Sequence, residues 1–239
     1  MIPGSTTYAL QFGSETIPVA VCFRNQKRLS ITVFPNRSVQ AIAPAGQPLE
    51  LVHERIRRRR KWIAKQRSFF QRFHPLPEER RYISGETHLY LGRQYRLRVR
   101  QAANTGVKLL GPFLYINVPD PQDTKTVKNA LDAWYVLHAK KLLKERLGIL
   151  TKVMKPVQTM NIKFQIKNMN KRWGSCTKAG LITLNINLVK TPLSCIEYVI
   201  LHELCHLSNR EHDSEFFKIL TRAMPDWQQR KQKLNMFIF

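Results

Sequence analysis

The clearest chemical pattern in the chain is His202-Glu203-Leu204-Cys205-His206, near its C-terminal end. Residues four apart lie on one face of an α-helix, so His202 and His206 can direct their imidazole nitrogens at one metal ion. Glu203 projects about 100° away around the helix axis. There its carboxylate can accept a proton from a water molecule, as a general base does. The pattern predicts a zinc site with hydrolytic chemistry, unless the two histidines are core residues that match it by chance.

A catalytic zinc ion usually has three protein ligands and an open position for water. His212 is the best candidate for the third ligand, because Ser208-Asn209-Arg210 can end the helix and turn the chain back. A nearby carboxylate is the alternative, and the candidates are Glu197, Glu211 and Glu215. We expect one zinc ion per chain.

The helix that carries this pattern is apolar on most of its surface, and we expect it to be buried. Its apolar residues are Tyr198, Val199, Ile200, Leu201, Leu204 and Leu207. Thr191-Pro192 predicts its start, with threonine as the cap and proline in the first turn. Polar groups inside such a helix need partners, and a metal ion would supply one.

Two blocks of sequence together carry a family resemblance. The first is Arg172-Trp173-Gly174-Ser175-Cys176 followed by Leu184-Asn185, and the second is the histidine pattern followed by His212. With Tyr90-Leu91-Gly92 and Pro225-Asp226-Trp227, they resemble the YgjP-like metallopeptidases, relatives of the SprT-like and WLM zinc proteases, over nearly the whole chain.

The resemblance implies zinc held by His202, His206 and His212, with Glu203 as catalytic base. It also implies a protein or peptide substrate, and so a zinc metalloendopeptidase. One departure is Asp213-Ser214, where Ser-Pro is commoner in the family, and it removes no ligand. Cys205 fits the family pattern of a small residue, and we expect a buried thiol.

Substrate contacts are expected from the first block. Gly174 permits a tight bend beside the catalytic helix, and Trp173 is expected to pack. Arg172, Ser175 and Asn185 are candidates for contacts with the substrate or the transition state. We also expect the strand at residues 182–188 to lie along the cleft, where an extended peptide can pair with a strand edge.

The expected fold class is α+β, with a β-rich basic N-terminal module followed by a zincin-like C-terminal module that holds the HExxH helix. Residues 29–33 and 39–43 predict a hairpin, and residues 95–99 and 113–118 predict a pair of strands. Residues 49–70 predict one amphipathic helix. Pro119-Asp120-Pro121 is the expected boundary, which gives modules at 1–118 and 122–239. Pro225 is expected to begin a basic tail.

The charge of the chain is unusual, with 40 Lys and Arg against 16 Asp and Glu and a formal net charge of +24. Such an excess attracts polyanions. Residues 55–67 hold eight Lys or Arg and no acidic residue. The candidates for contact with DNA or another polyanion are Arg57, Arg58, Arg60 and Lys61. The alternative is a solvated amphipathic helix that packs its apolar stripe on a sheet.

These observations favour a zinc-dependent peptidase. The competing interpretation is a basic nucleic-acid-associated binding protein with a structural or vestigial zinc site, and a zinc hydrolase with another substrate is the third. The sequence contains no apolar segment long enough to insert in a membrane and no secretory leader pattern. A cytoplasmic protein is therefore expected.

Overall fold

The apolar faces of the strands and helices form two separate hydrophobic cores. The computed structural model describes residues 6–71, 74, 80–154, 162–169, 172–177 and 179–237. They form a mixed α+β structure that divides into two compact units, Met1–Glu78 and Glu79–Phe239. Each unit has its own buried core.

Unit 1 is a four-stranded sheet covered by two helices. Its elements are β1 Thr6–Phe12, β2 Glu15–Arg24, β3 Ser30–Val33, β4 Val39–Pro44, α1 Leu49–Arg58 and α2 Arg60–Gln71. The strand order is β1-β2-β4-β3, and the expected hairpin is the antiparallel pair β3 and β4. Val52, Ile56 and Ile63 of the helices are buried in the core of this unit, which leaves the charged residues on the outer faces.

The single amphipathic helix expected over residues 49–70 is two helices. Arg59 separates α1 from α2, and its backbone N–H donates to the carbonyl of Ile56. This bond spans three residues instead of four, which tightens and ends the first helix. Val52 and Ile56 before the break and Ile63 after it are buried in the same core.

The described residues of unit 2 form two sheets, four α-helices and a 3₁₀ helix. Its elements are β5 Thr87–Tyr90, β6 Arg93–Gln101, β7 Gly106–Leu110, β8 Phe113–Val118, α3 Thr124–Val153, β9 Lys163–Lys167, β10 Gly174–Cys176, β11 Leu181–Asn185, a 3₁₀ helix Ile186–Lys190, α4 Leu193–Ser208, α5 Ser214–Ala223 and α6 Trp227–Leu234. One sheet has the order β5-β6-β8-β7 and the other β10-β11-β9. Strands β6 and β8 pair in parallel, with β7 inserted between them along the chain.

The boundary between the compact units differs from the one expected at Pro119-Asp120-Pro121, which lies inside unit 2. Leu97 and Leu114 of the first sheet share one core with Trp134 of α3 and Leu201 of α4. The proline-containing segment is therefore a connection between β8 and α3 within one core. The basic strand β6 belongs to the unit that carries the histidine pattern.

Helix α6 occupies the stretch expected to be a basic tail. Trp227, its first residue, stacks on Phe217 with the ring centroids 5.2 Å apart, and its indole N–H donates to Thr221. Leu234 is buried. These contacts with α5 and the core stabilise a segment whose own apolar pattern is weak. Of the helices in the described ranges, none is both long and apolar enough to span a bilayer.

A tight turn joins β5 to β6 and lies against the start of α4. Leu91 and Gly92 both have positive φ, at 50° and 77°, as a two-residue hairpin turn requires. The backbone N–H of Leu91 donates to Val189 at 2.7 Å. A Cβ atom at Gly92 would lie 2.6 Å from Cγ of Pro192. The turn therefore needs glycine both for its φ and for this close approach.

We predict that Gly92→Ala lowers the free energy of unfolding by about 1–3 kcal/mol, because it combines backbone strain with a clash. Thermal unfolding followed by circular dichroism measures the change. Gly106→Ala is the matched control, since φ at Gly106 is not in the left-handed region and the space around it is open. Equal melting temperatures for the two variants would contradict the requirement for glycine at position 92.

Candidate metal centre

Helix α4 carries the histidine pattern through the core of unit 2. Ile200 and Leu204 are fully buried, and so is Cys205, as expected. Burial raises the pKa of the Cys205 thiol to about 12, which keeps it protonated. The helix begins at Leu193 with Pro192 as the capping residue, while the Thr191 hydroxyl donates to a carbonyl of the 3₁₀ helix and does not cap α4.

His202, His206 and His212 form a compact group. One ring nitrogen of each lies within 4.8 Å of those of the other two. The ring centroids are 4.9 Å apart for His202 and His206, 4.9 Å for His202 and His212, and 4.6 Å for His206 and His212. Nε2 of His202 and Nε2 of His212 are 3.0 Å apart. Three imidazoles that converge in this way are a suitable donor set for one metal ion.

The segment from Asn209 to Asp213 places His212 beside the helix. Asn209 donates from its side-chain amide to Oδ1 of Asp213, at 2.9 Å, and accepts from the backbone N–H of Glu211. Asp213 caps α5 by accepting from the backbone N–H of Phe216, also at 2.9 Å. Asp213 therefore fixes both ends of the segment that carries His212.

Backbone and aromatic contacts orient the imidazoles. Nδ1 of His206 lies 3.2 Å from the carbonyl oxygen of Asn209, which leaves Nε2 to face the group. Phe216 is fully buried, and its ring centroid lies 5.1, 4.8 and 4.7 Å from those of His202, His206 and His212. Ligands held by outer contacts of this kind bind metal more tightly.

The electrostatic environment suits neutral histidines. Burial, followed by the nearby His206 and His212, lowers the pKa of His202 to about 3. Burial is also the main cause that lowers the pKa of His206. Metal ions bind the neutral imidazole, so both side chains are in the required state at neutral pH. The residues therefore fit a zinc ion, by donor type and by protonation state.

The three carboxylates that were alternatives to His212 as third ligand are paired with basic residues or exposed. Glu197 lies 2.9 Å from Nη1 of Arg230 and 3.7 Å from Nη1 of Arg146. Glu215 pairs with Lys218 at 3.6 Å, and Glu211 is exposed. Within the described residues, the group of metal-binding side chains at this place consists of the three histidines.

Glu203 is buried next to the histidines, with 5% of its surface exposed. Burial raises the pKa of its carboxyl to about 7, while the positive charge of Arg172 acts in the opposite direction. A cation among the histidines would also favour the charged carboxylate. A Cβ atom at Gly174 would lie 2.6 Å from Oε1 of Glu203, so β10 passes directly over this side chain because residue 174 is glycine.

Arg172 is close enough to Glu203 to influence its pKa, and Ser175 follows Gly174 in β10, whereas Asn185 has a structural position. Arg172 is exposed and Ser175 pairs with Thr183 in the β10–β11 ladder. The buried side-chain amide of Asn185 donates to the carbonyls of Met169 at 2.6 Å and Arg172 at 2.9 Å. Its donors are therefore engaged in holding the backbone that leads to β10.

The strand expected along the cleft is not at an edge. Strand β11 ends at Asn185 and pairs on one side with β10 and on the other with β9. Both of its edges are hydrogen-bonded, so it has no free edge for a peptide. Strand β10 is the end strand of this sheet within the described part of the chain, and it is the strand that contacts Glu203.

The four basic residues predicted to contact nucleic acid lie in unit 1. Arg57 and Arg58 are on the last turn of α1, and Arg60 and Lys61 are on the first turn of α2. All four are exposed. None of them belongs to the metal centre.

Comparison with known proteins identifies the family. The model of the family "YgjP-like, metallopeptidase domain" matches residues 27–237. The chain therefore belongs to the YgjP-like metallopeptidase family, which confirms the resemblance seen in the two sequence blocks. No curated protein matches the chain closely enough to count as a relative.

Two solved structures share limited similarity with the chain. One is the metallopeptidase zymogen abylysin of Pyrococcus abyssi, with 18% identity, a TM-score of 0.37, and coverage of 39% of this chain and 92% of that one. The other is the metallopeptidase zymogen jannalysin of Methanocaldococcus jannaschii, with 20% identity, a TM-score of 0.36, and coverage of 39% and 94%. Neither TM-score is high enough to bear on the fold.

We predict that His212→Ala weakens zinc binding at least about 100-fold, because even changes outside the ligand shell cost 10–100-fold. Competition with a chromogenic chelator measures the affinity. Glu211→Gln and Glu215→Gln are the controls, since they remove the neighbouring carboxylates and leave the histidines. Loss of zinc in a control, with retention in His212→Ala, would assign the third ligand to a carboxylate.

Proposed function

We propose that this protein is a zinc-dependent peptidase in which His202, His206 and His212 hold the metal and Glu203 is the general base. The observation that carries the proposal is the burial of Glu203 directly after His202, on the helix that provides two of three converging imidazoles. An isolated buried carboxylate is costly unless it has a partner or a chemical role. Family membership supports peptide bonds as the substrate class.

The residues have distinct roles in this proposal. A zinc ion bound by three histidines supplies Lewis-acid activation of water and of a peptide carbonyl. Glu203 accepts the proton of the attacking water at a carboxylate oxygen and returns it to the nitrogen of the leaving amine. Gly174 leaves room for that carboxylate, and Arg172 contributes positive charge near it.

The free edge of β10 is the proposed binding surface for an extended peptide. Trp173 and Thr177 use their backbone groups to bond with Asn185 and Leu181 of the neighbouring chain segment. Backbone groups alternate in direction along a strand, so those of Gly174 and Cys176 point away from β11. A substrate that pairs with them would lie beside Glu203.

The alternative function is a binding protein whose zinc is structural. Structural zinc sites are usually closed by four protein ligands. The group of three histidines, with no fourth metal-binding side chain gathered there among the described residues, favours an open site and hence the peptidase.

We predict that Glu203→Gln abolishes cleavage of a denatured protein substrate while zinc content stays near that of the wild type. The amide keeps the size of the side chain but cannot accept the proton, so the expected loss in kcat is about 100-fold or more. Elemental analysis and a gel-based cleavage assay test the two parts separately. Equal cleavage by both proteins would refute the role of Glu203, and zinc without cleavage by the wild type would favour the binding protein.

We predict that Cys176→Pro raises KM for an extended peptide and changes kcat little. Proline removes an N–H that points to the free edge, which an end strand tolerates. Cys176→Ala is the control for the loss of the thiol, and it should behave like the wild type. An unchanged KM in a folded Cys176→Pro protein would exclude pairing at this position.

A further inference from the structure

Unit 1 contains a basic pocket, none of whose residues belongs to the metal centre. It has a volume of about 640 Å³, which is within the usual range for ligand sites. Lys27 and Arg28, between β2 and β3, form one side, and Arg55, Arg58 and Arg59 of the helix pair form the other. No acidic side chain is among the described residues that line it. The pocket therefore offers positive charge from two sides to whatever enters it.

Most of these cations are free to bind an anion. Arg58 pairs with Glu54 at 2.6 Å. Lys27, Arg28, Arg55 and Arg59, all exposed, have no carboxylate partner among the described residues. Elsewhere in this unit, Arg37 and Arg67 both lie within ion-pair distance of Glu15. Lys27, Arg28, Arg55 and Arg59 line one pocket, so their positive charges add there.

Trp62 gives the pocket an aromatic surface. The residue is 41% exposed, whereas the next residue, Ile63, is fully buried in the core. Leu29 and Ile31 also line the pocket. Trp62 is therefore a large aromatic residue that lies among the cations of the pocket with much of its surface exposed.

We infer that this pocket binds single-stranded nucleic acid, with phosphates held by the arginines and lysine and one base stacked on Trp62. Cationic grooves with an aromatic platform bind single strands by this combination, largely without regard to sequence. The bases of a duplex are already stacked on one another and cannot reach a tryptophan within a concave pocket. The inference uses residues of unit 1 alone and does not rest on the proposed peptidase activity.

The positions of the basic residues supply a matched control. Of the four residues that the sequence predicted for nucleic-acid contact, Arg58 lines the pocket, whereas Arg57, Arg60 and Lys61 do not. Arg55 and Arg59 line it but were not among those four. Two double variants therefore remove equal charge from the same pair of helices. The inside double, Arg55→Gln/Arg59→Gln, changes residues that line the pocket. The outside double, Arg57→Gln/Arg60→Gln, changes residues that do not.

The test is fluorescence anisotropy with labelled single-stranded oligo(dT) and oligo(U) of about 12 nucleotides, a length of the order that single-strand binding sites cover. The protein used carries both units and the substitution Glu203→Gln, so that peptidase activity plays no part. A hairpin duplex and vesicles containing anionic lipid are the competing polyanions. Circular dichroism melts establish that each variant is folded.

We expect Trp62→Ala to weaken binding about tenfold and Trp62→Phe to weaken it less, since stacking is worth that much per base. The inside double should lower the slope of log K against log salt by about 0.7 for each phosphate that the protein no longer neutralises. The outside double should change the slope little. Equal losses of affinity for the two doubles, an unaffected Trp62→Ala, or tighter binding of duplex or vesicles would overturn the inference.

Discussion

The burial of polar side chains on one apolar helix, α4, is the constraint on which the rest of unit 2 depends. Glu203 and His202 lie in α4 among residues that are almost fully excluded from water. Desolvation is the largest cause that opposes charge on both, and it shifts the pKa of each toward the neutral form. The neighbouring elements accommodate these groups: β10 leaves space over the carboxylate, the segment before α5 places His212 beside the other two imidazoles, and Phe216 of α5 packs against all three.

Hydrogen bonds outside the site hold these elements in their positions around α4. Asn185 secures the backbone before β10 to the end of β11, and Asn209 with Asp213 secures the segment between α4 and α5. The hairpin turn at Gly92 bonds to the residues just before α4. The beginning of the helix, the space beside Glu203 and the segment that follows the helix are each fixed by a different part of the chain, so the candidate metal centre depends on residues from the whole unit.

Local patterns predicted the parts of this structure that depend on local spacing. The shared helix face of His202 and His206 follows from a spacing of four, and the β3–β4 hairpin follows from alternation and a turn.

Other features depend on residues far apart in sequence. Strands β6 and β8 share a core with α3 and α4, so the proline-rich segment between β8 and α3 is not a boundary between the units. The central position of β11 depends on β9 and β10, which each pair with it. Asn185 reads in sequence as a polar strand residue, because only the fold brings the carbonyls of Met169 and Arg172 to its amide. The basic run likewise predicted charge, but which arginines face Trp62 depends on where the helix breaks at Arg59.

The contact between Gly174 and Glu203 couples two positions that belong to different sequence blocks. A methyl group at 174 would take the place of the carboxylate, so any larger residue there requires a shorter or displaced acid at 203. In a laboratory evolution experiment, a larger residue at 174 would therefore be accompanied by a displaced or shorter side chain at 203. Aspartate is one methylene shorter than glutamate, so it would leave room for alanine at 174.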